Sequence, residues 1–240
     1  MYIYGRNPVR EAYIAGKTVD KIYVQKGEFD PMLSRVLKLA KEARTVVSYV
    51  DKNMLDKLAN GGNHQGIVAA VTDFSYCDVE DILSLAKDKG EDLLLVILDG
   101  ITDPHNLGAI IRSAECFGAH GIVIPKHRSV SVNDTVVKVA CGATEHMLIA
   151  KVTNVNDAIR WLKEQNVWVY ATDFDGKAPK DANLTGNIAL VIGSEGEGIH
   201  RLTKELCDDT LTIPQFGKVN SLNASVAAGI VLYEAVRQRH

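Results

Sequence analysis

The stretch DLLLVILDGITDPHNLGAIIRSAECFGAHGIVIP, residues 92–125, reads as strand, turn, helix and strand. The apolar runs at Asp92–Asp99 and Gly121–Pro125 are typical of buried strands. Between them, residues Leu107–Phe117 carry apolar side chains at helical spacing. A helix that joins two buried strands usually makes them parallel neighbours in one sheet. This stretch therefore predicts an α/β fold.

The same alternation continues to the end of the chain. The further predicted strands are Val167–Asp173, Ile188–Gly193 and Thr210–Pro214. The further predicted helices are Val155–Gln165, Ile199–Leu206 and Leu222–Arg237. This order predicts a mostly parallel sheet that is covered by helices on both faces. Ligands of such sheets bind outside the carboxyl ends of the strands, so the loops after the strands are the candidate site.

The first part of the chain predicts a separate, smaller α/β unit. Its strand-like runs are Lys21–Val24, Thr45–Val50 and Gly66–Val71, and a helix is predicted over Pro31–Ala43. We therefore divide the chain into an amino-terminal domain at 1–72, a linker at 73–89 and a larger domain at 90–240.

Composition limits the class of protein. The net charge is −3, but residues 1–72 carry 11 Lys or Arg against 7 Asp or Glu, while the remainder is acidic. A basic first domain fits an RNA partner, and random surface charge explains it about as well. The four cysteines form no C-x-x-C pair, which argues against a zinc site and a disulfide framework. No apolar run is long enough for a membrane helix and no signal pattern is present, so we expect a cytoplasmic protein without metal or membrane partner.

Three loops after predicted strands carry unusual polarity. In the first, Asn106 is expected to cap a helix that holds Arg112. The second, GSEGEG from Gly193 to Gly198, matches neither the dinucleotide fingerprint nor a phosphate-binding P-loop, and it holds Glu195. Taken alone, each of these loops is explained as well by an ordinary helix cap or a solvated glycine turn.

The third loop, IPQFGKVNSLNASVAAG from Ile213 to Gly229, is richer in Asn and Ser than a plain connection requires. We expect Ser221 to cap the last helix, with Asn223 in its first turn. One cap leaves Asn220, Asn223 and Ser225 without a structural purpose. That excess of polar side chains favours a ligand-binding role.

In this order, the three loops resemble the SpoU (TrmH-like) family of RNA ribose 2′-O-methyltransferases. The matching residues are Asn106, Gly108, Ala109, Arg112, Gly193, Ser194, Glu195, Gly196, Gly198, Ile213, Pro214, Ser221, Leu222, Asn223 and Ser225. The segments Tyr4–Ala12 and Asn63–Val71 look like the substrate-binding domain of bacterial 23S rRNA guanosine 2′-O-methyltransferases.

The resemblance implies a deep trefoil knot at the carboxyl end, S-adenosylmethionine as cofactor and a homodimer with the knot at its interface. It implies cofactor contacts, largely through the backbone, at Thr172, Gly193, Ile213, Ser221 and Leu222. The polar residues that match the functional residues of the family are Asn106, Arg112, Glu195 and Asn223. The activity implied is ribose 2′-O-methylation of a guanosine in 23S rRNA.

Several roles stay open. Arg112 either binds a phosphate and stabilises charge on the 2′ oxygen or abstracts the proton, and Glu195 either orients Arg112 or Asn106 or accepts the proton. Candidate RNA contacts are Arg6, Arg10, Lys126 and Arg128, each of which is also explained as a surface cation. The alternatives for the whole protein are a tRNA ribose methyltransferase and a non-catalytic RNA-binding or ribosome-assembly protein.

Overall fold

The computed structural model describes residues 1–27, 30–72, 74–218 and 221–240. Asn220, one of the polar residues of the third loop, lies outside the described residues. The chain divides into two compact units, Met1–Ser75 and Tyr76–His240.

The first unit is a four-stranded sheet with three helices. Its elements are, in chain order, β1 Tyr2–Tyr4, α1 Arg6–Ile14, β2 Thr18–Gln25, α2 Pro31–Glu42, β3 Val46–Val50, α3 Lys52–Leu58 and β4 Ile67–Thr72. The strand order is β1-β4-β2-β3, with β4 antiparallel to both neighbours and β2 parallel to β3.

Helix α2 begins as its sequence predicts. The Asp30 side chain accepts a hydrogen bond from the Leu33 backbone N–H at 2.8 Å, and Pro31 occupies the first helical position. Its apolar face, with Leu33 and Val36, packs into a core that includes Ile22 of β2. Burial of this face stabilises both the helix and the sheet beneath it.

The second unit is a six-stranded sheet with helices between the strands. Its elements are, in chain order, α4 Val79–Lys89, β5 Leu94–Asp99, α5 Pro104–Cys116, β6 Gly121–Pro125, α6 Asp134–Ala140, β7 Leu148–Val152, α7 Val155–Glu164, β8 Trp168–Lys177, β9 Ile188–Gly193, α8 Arg201–Leu206, β10 Asp209–Leu211 and α9 Ala224–Arg239. The strand order is β10-β8-β9-β5-β6-β7, and every pair is parallel. The mostly parallel α/β sheet predicted from the sequence is therefore confirmed.

The central strands place the candidate site. All six residues of β5 are buried, because helices cover the sheet on both faces. In the register of the sheet, Asp99 of β5 lies beside Gly193 of β9, and Ile192 lies beside Thr172 of β8. The carboxyl ends of β5 and β9 therefore meet β8 at Thr172, the last residue of β8 that pairs with β9, although β8 itself continues to Lys177. This edge is where ligands of parallel sheets bind.

The segment 73–89, expected to be a linker, contains helix α4. Its residues Val79, Ile82, Leu83 and Ala86 are buried in the core of the second unit. The Asp78 and Asp81 side chains form a capping box at the start of this helix. This part of the segment thus packs as an element of the larger unit.

Within the described ranges, none of the helices is both long and apolar enough to cross a membrane. The same part of the chain contains no group of three or more His, Cys, Asp or Glu side chains arranged to hold a metal ion.

Candidate functional site

Three of the four predicted catalytic residues form one hydrogen-bonded cluster, which we call the amide–carboxylate cluster: Asn106, Glu195 and Asn223. The Asn106 Nδ2 donates to Glu195 Oε1 at 2.8 Å, and the Asn223 Nδ2 donates to Asn106 Oδ1 at 2.9 Å. Asn223 Nδ2 also donates to Glu195 Oε1. The three loops thus converge although the residues lie up to 117 positions apart in the chain.

The capping expected at two helices is wrong in its details. Helix α5 is capped by Asp103, whose carboxylate accepts from the His105 N–H at 2.9 Å. Asn106 therefore lies in the first turn, and its amide is free to bond Glu195. Helix α9 is capped by Asn223 rather than by Ser221. A cap residue uses only its side-chain oxygen, so the amide nitrogen of Asn223 remains available for the cluster.

Glu195 is presented by a tight turn over Ser194–Gly198. Two backbone hydrogen bonds of 3.0 Å join Ser194 to Gly198, and Gly198 has a φ of 66°. A side chain at Gly193 would overlap the backbone of Gly198 and Ile199. Glycine is therefore required at position 193 for the turn to close against β9, whereas a Cβ at Gly196 meets no atom within 4 Å.

All five predicted cofactor residues line one cavity of about 240 Å³, which we call the cofactor cavity. They are Thr172, Gly193, Ile213, Ser221 and Leu222. The turn that carries Glu195 forms part of the same wall. The Thr172 Oγ1 is buried and has no hydrogen-bond partner among the described residues, which identifies a polar group available to a ligand.

One carboxylate of the cofactor cavity is already neutralised. Asp173 accepts a 2.6 Å hydrogen bond from the Lys204 ammonium, which also bonds Asp175. Hydrogen bonds to Asp173 and then Asp175 raise the pKa of Lys204, and its ammonium lowers the pKa of Asp175. The carboxylate of Glu195 is bonded instead by neutral amides, so its charge remains available to the site.

Arg112 lies outside the amide–carboxylate cluster of its own chain. It follows Asn106 by six residues on α5, which is about 9 Å along the axis and about 120° around it. Its Nη1 lies 3.6 Å from the Cys141 Sγ at the end of α6. Within one chain, Glu195 is hydrogen-bonded to Asn106 and Asn223 and therefore does not orient Arg112.

The candidate RNA contacts of the second unit lie after β6. Arg128 has a φ of 55° and lines a cavity together with Asn106 and Glu195. Its guanidinium forms no ion pair with the described residues. Lys126 donates its backbone N–H to Val152 O at 2.8 Å, which continues the pairing of β6 with β7.

The two arginines predicted to contact RNA in the first unit are partnered. Arg6 forms an ion pair with Asp30 and donates its Nε–H to Gln65 O at 2.9 Å, at the edge of a polar cavity of about 590 Å³. Arg10 pairs with the adjacent Glu11. The positive charge of both side chains is thus partly compensated.

Sequence reasoning missed a contact between Asp99 and His200, which lie 101 positions apart in the chain. The His200 backbone N–H donates to Asp99 Oδ2 at 2.9 Å, and its ring Nδ1 lies 2.8 Å from Asp99 Oδ1. The available signal was an acidic residue at the end of a buried strand, where the carboxylate needs donors.

Comparisons with known proteins agree with this geometry. The family model described as the SpoU rRNA Methylase family matches residues 93–233, and the model described as RNA 2′-O ribose methyltransferase substrate binding matches residues 2–77. A protein of Staphylococcus haemolyticus named for the TrmH family of tRNA/rRNA methyltransferases is 43% identical over 239 residues, 99% of this chain and 96% of its own length.

Two solved structures are similar over nearly the whole chain. The SpoU methyltransferase AviRb from Streptomyces viridochromogenes, in complex with AdoMet, has a TM-score of 0.64 and 28% identity and covers 100% of this chain and 90% of its own. An AdoMet-bound rRNA methyltransferase from Sinorhizobium meliloti has a TM-score of 0.60 and 26% identity and covers 98% and 86%.

Proposed function

Because the chain belongs to the SpoU rRNA methylase family, we propose that it transfers a methyl group from S-adenosylmethionine to a ribose 2′-hydroxyl of a guanosine in 23S rRNA. The observation that carries the proposal is the amide–carboxylate cluster, which stands beside the cofactor cavity and shares the Glu195 turn with it.

The cofactor cavity fits S-adenosylmethionine by the chemistry of its lining. Ile192, Ile213 and Leu222 supply apolar surface for an adenine ring, while the unpartnered Thr172 Oγ1 offers a polar contact. The glycine turn allows a ligand to approach the backbone closely. When bound, the cofactor supplies an electrophilic methyl group on a sulfonium.

The polar residues of the chain orient the acceptor. Both asparagine amides donate to Oε1 of Glu195, which fixes the carboxylate and leaves Oε2 without a donor among the described residues. In our proposal Oε2 accepts the hydrogen bond of the acceptor 2′-hydroxyl and takes up its proton as the methyl group is transferred. Alignment of the hydroxyl within attack distance lowers the barrier by several kcal/mol, and by about 7–11 kcal/mol where the orientation is ideal.

We further propose a homodimer. Helix α9 has apolar residues on both sides: Ala228, Val231 and Leu232 are buried, while Val226 is 49%, Ile230 39% and Tyr233 57% exposed. The exposed three are spaced by four and three residues and form one stripe, which a second copy would cover. A second copy is also required if Arg112 acts at the acceptor sugar, since Arg112 lies away from the cluster of its own chain.

The choice of rRNA over tRNA rests on the first unit. That unit matches a substrate-binding family model, and the rRNA methyltransferase of Sinorhizobium meliloti aligns over both units of this chain. A non-catalytic assembly factor would have no need of a carboxylate held by two amides beside a cavity. The tRNA alternative predicts methylation of tRNA instead of 23S rRNA, and a methyl-transfer assay with both substrates distinguishes it from our proposal.

The decisive experiment is transfer of a tritiated methyl group from S-adenosylmethionine to unmodified 23S rRNA and to total tRNA, each made or isolated without the modification. We expect incorporation into 23S rRNA only, at a guanosine that becomes resistant to alkaline cleavage. Glu195→Gln should bind the cofactor in calorimetry and transfer no methyl group, with Glu80→Gln on helix α4, which is not among the residues that line the cofactor cavity, as the matched control. Incorporation into tRNA alone would refute the rRNA assignment.

A further inference from the structure

Two further cavities open at the carboxyl edge of the second sheet. The first, of about 400 Å³, is lined by Asn106, Glu195, Arg128 and His200 and shares the turn Ser194–Glu197 with the cofactor cavity. We call it the acceptor cavity, because it contains two members of the amide–carboxylate cluster. The second, of about 480 Å³, is called the flanking cavity.

Arg128 and His200 line both of these cavities and therefore stand at their boundary. The rest of the flanking cavity combines the cationic or polar side chains of His127, Asn154 and Arg201 with apolar surface from Val155 and Leu202. Cationic side chains next to an acceptor cavity suit a continuous nucleic-acid strand, whose phosphates are spaced by one nucleotide. A small isolated substrate would need only the acceptor cavity.

The orientation of His200 is fixed by Asp99. The Asp99 side chain is 7% exposed at the end of β5, and its carboxylate accepts from both the backbone N–H and the ring Nδ1 of His200, at 2.9 and 2.8 Å. A carboxylate has no proton to donate, so the ring proton lies on Nδ1 and Nε2 of the neutral imidazole is a hydrogen-bond acceptor. The His200 side chain is 41% exposed, whereas Asp99 is covered.

A hydrogen-bond acceptor selects a hydroxyl, and an unpaired guanidinium selects a phosphate. A 2′-hydroxyl and a phosphate occur side by side in RNA, and the 2′-hydroxyl distinguishes RNA from DNA. We propose that His200 is a substrate-positioning residue: its Nε2 accepts a hydrogen bond from the 2′-hydroxyl of the nucleotide adjacent to the acceptor, while Arg128 binds the phosphate between the two. This inference rests on the proposed function and specifies how the same site holds its RNA.

Two substitutions separate the roles of the two ring nitrogens. His200→Asn keeps an N–H donor for Asp99 and removes the group at the Nε2 position, whereas His200→Gln places an amide oxygen near that position. We expect His200→Asn and His200→Ala to raise KM for in vitro transcribed 23S rRNA about tenfold, the loss of about one hydrogen bond, with kcat within about twofold. His200→Gln should recover part of the KM, and His240→Ala, a histidine away from these cavities, should match the wild type.

A second measurement uses a synthetic RNA fragment around the mapped guanosine, with a single 2′-deoxy substitution on either side. At one of the two neighbours, the deoxy fragment should raise the KM of the wild type about tenfold and have no further effect in His200→Asn, as expected for one shared hydrogen bond. Calorimetry with S-adenosylmethionine should give the same affinity for all variants, which shows that the Ser194–Gly198 turn is intact.

Three outcomes would overturn the inference: an unchanged KM in both His200→Ala and His200→Asn, a loss confined to kcat, or a full deoxy effect that persists in His200→Asn. These outcomes are distinct from a failure of the proposed function, in which the wild type itself would transfer no methyl group to 23S rRNA.

Discussion

Substitution of Asn223 separates the structural and chemical roles that this one side chain combines. Its Oδ1 caps helix α9, accepting from the backbone N–H of Ser225 at 2.9 Å and of Val226 at 3.3 Å. Its Nδ2 donates to the other two members of the cluster. Serine can also cap a helix, but its shorter side chain has no amide to reach Asn106 or Glu195.

Asn223→Ala and Asn223→Ser should therefore differ in thermal stability but show the same loss of activity. Loss of the cap in Asn223→Ala costs about 1 kcal/mol, which lowers the thermal midpoint of a unit of this size by about 2–4 °C. Asn223→Ser should have the same thermal midpoint as the wild type. Both should transfer methyl groups about 10- to 100-fold more slowly, because Glu195 loses a donor that holds it in position.

The assay is differential scanning calorimetry beside methyl transfer at 25 °C, where all variants are folded. Asn223→Asp supplies a third comparison, since it keeps the capping oxygen but brings a second carboxylate against Glu195. At these exposed positions the repulsion is about 1 kcal/mol, and activity should be lost with the cap retained. Wild-type activity in Asn223→Ser would refute the reasoning, because the amide would then have no role beyond the cap.

Three further predictions follow from other parts of the second unit. Gly193→Ala should abolish S-adenosylmethionine binding in calorimetry, since its Cβ overlaps the adjoining turn, while Gly196→Ala should bind normally; equal affinities would contradict the packing argument. Burial lowers the pKa of His120 below its ordinary 6.5, so the unfolded chain binds more protons. The free energy of unfolding should therefore fall as pH drops below about 6.5 toward the folded-state pKa, and urea titrations of His120→Asn should show a shallower fall; an unchanged slope would exclude this histidine as the cause. Refolding a mixture of inactive Arg112→Ala and Glu195→Gln chains should restore about a quarter of wild-type activity if each site combines residues of two copies, and no recovery would confine each site to one chain.

The buried strands could be predicted from sequence because long apolar runs have few other uses. The run at Ile188–Gly193 coincides with β9, and that at Asp92–Asp99 contains β5. Strand β1 was missed. β1 has only three residues and owes its conformation to antiparallel pairing with β4, which no local pattern reveals. Propensity acts over neighbours in the chain, whereas pairing acts across the sheet.

The members of the candidate site were predictable and their contacts were not. Asp103 and Asn106, like Ser221 and Asn223, are all good capping residues, so sequence alone cannot choose which of each pair begins the helix. The structure assigns the caps to Asp103 and Asn223. The trefoil knot, the homodimer and the cytoplasmic location stay predictions.

The turn Ser194–Glu197 lines the cofactor cavity on one side and the acceptor cavity on the other. A ligand that orders this backbone in one cavity loses conformational entropy on binding. The ligand of the other cavity then binds a turn that is already ordered, so its own entropy loss is smaller. Donor and RNA should accordingly assist each other's binding by the same factor, since linkage between two sites is reciprocal. Five residues of backbone between Gly193 and Ile199 would then be sufficient to make the encounter of two substrates cooperative.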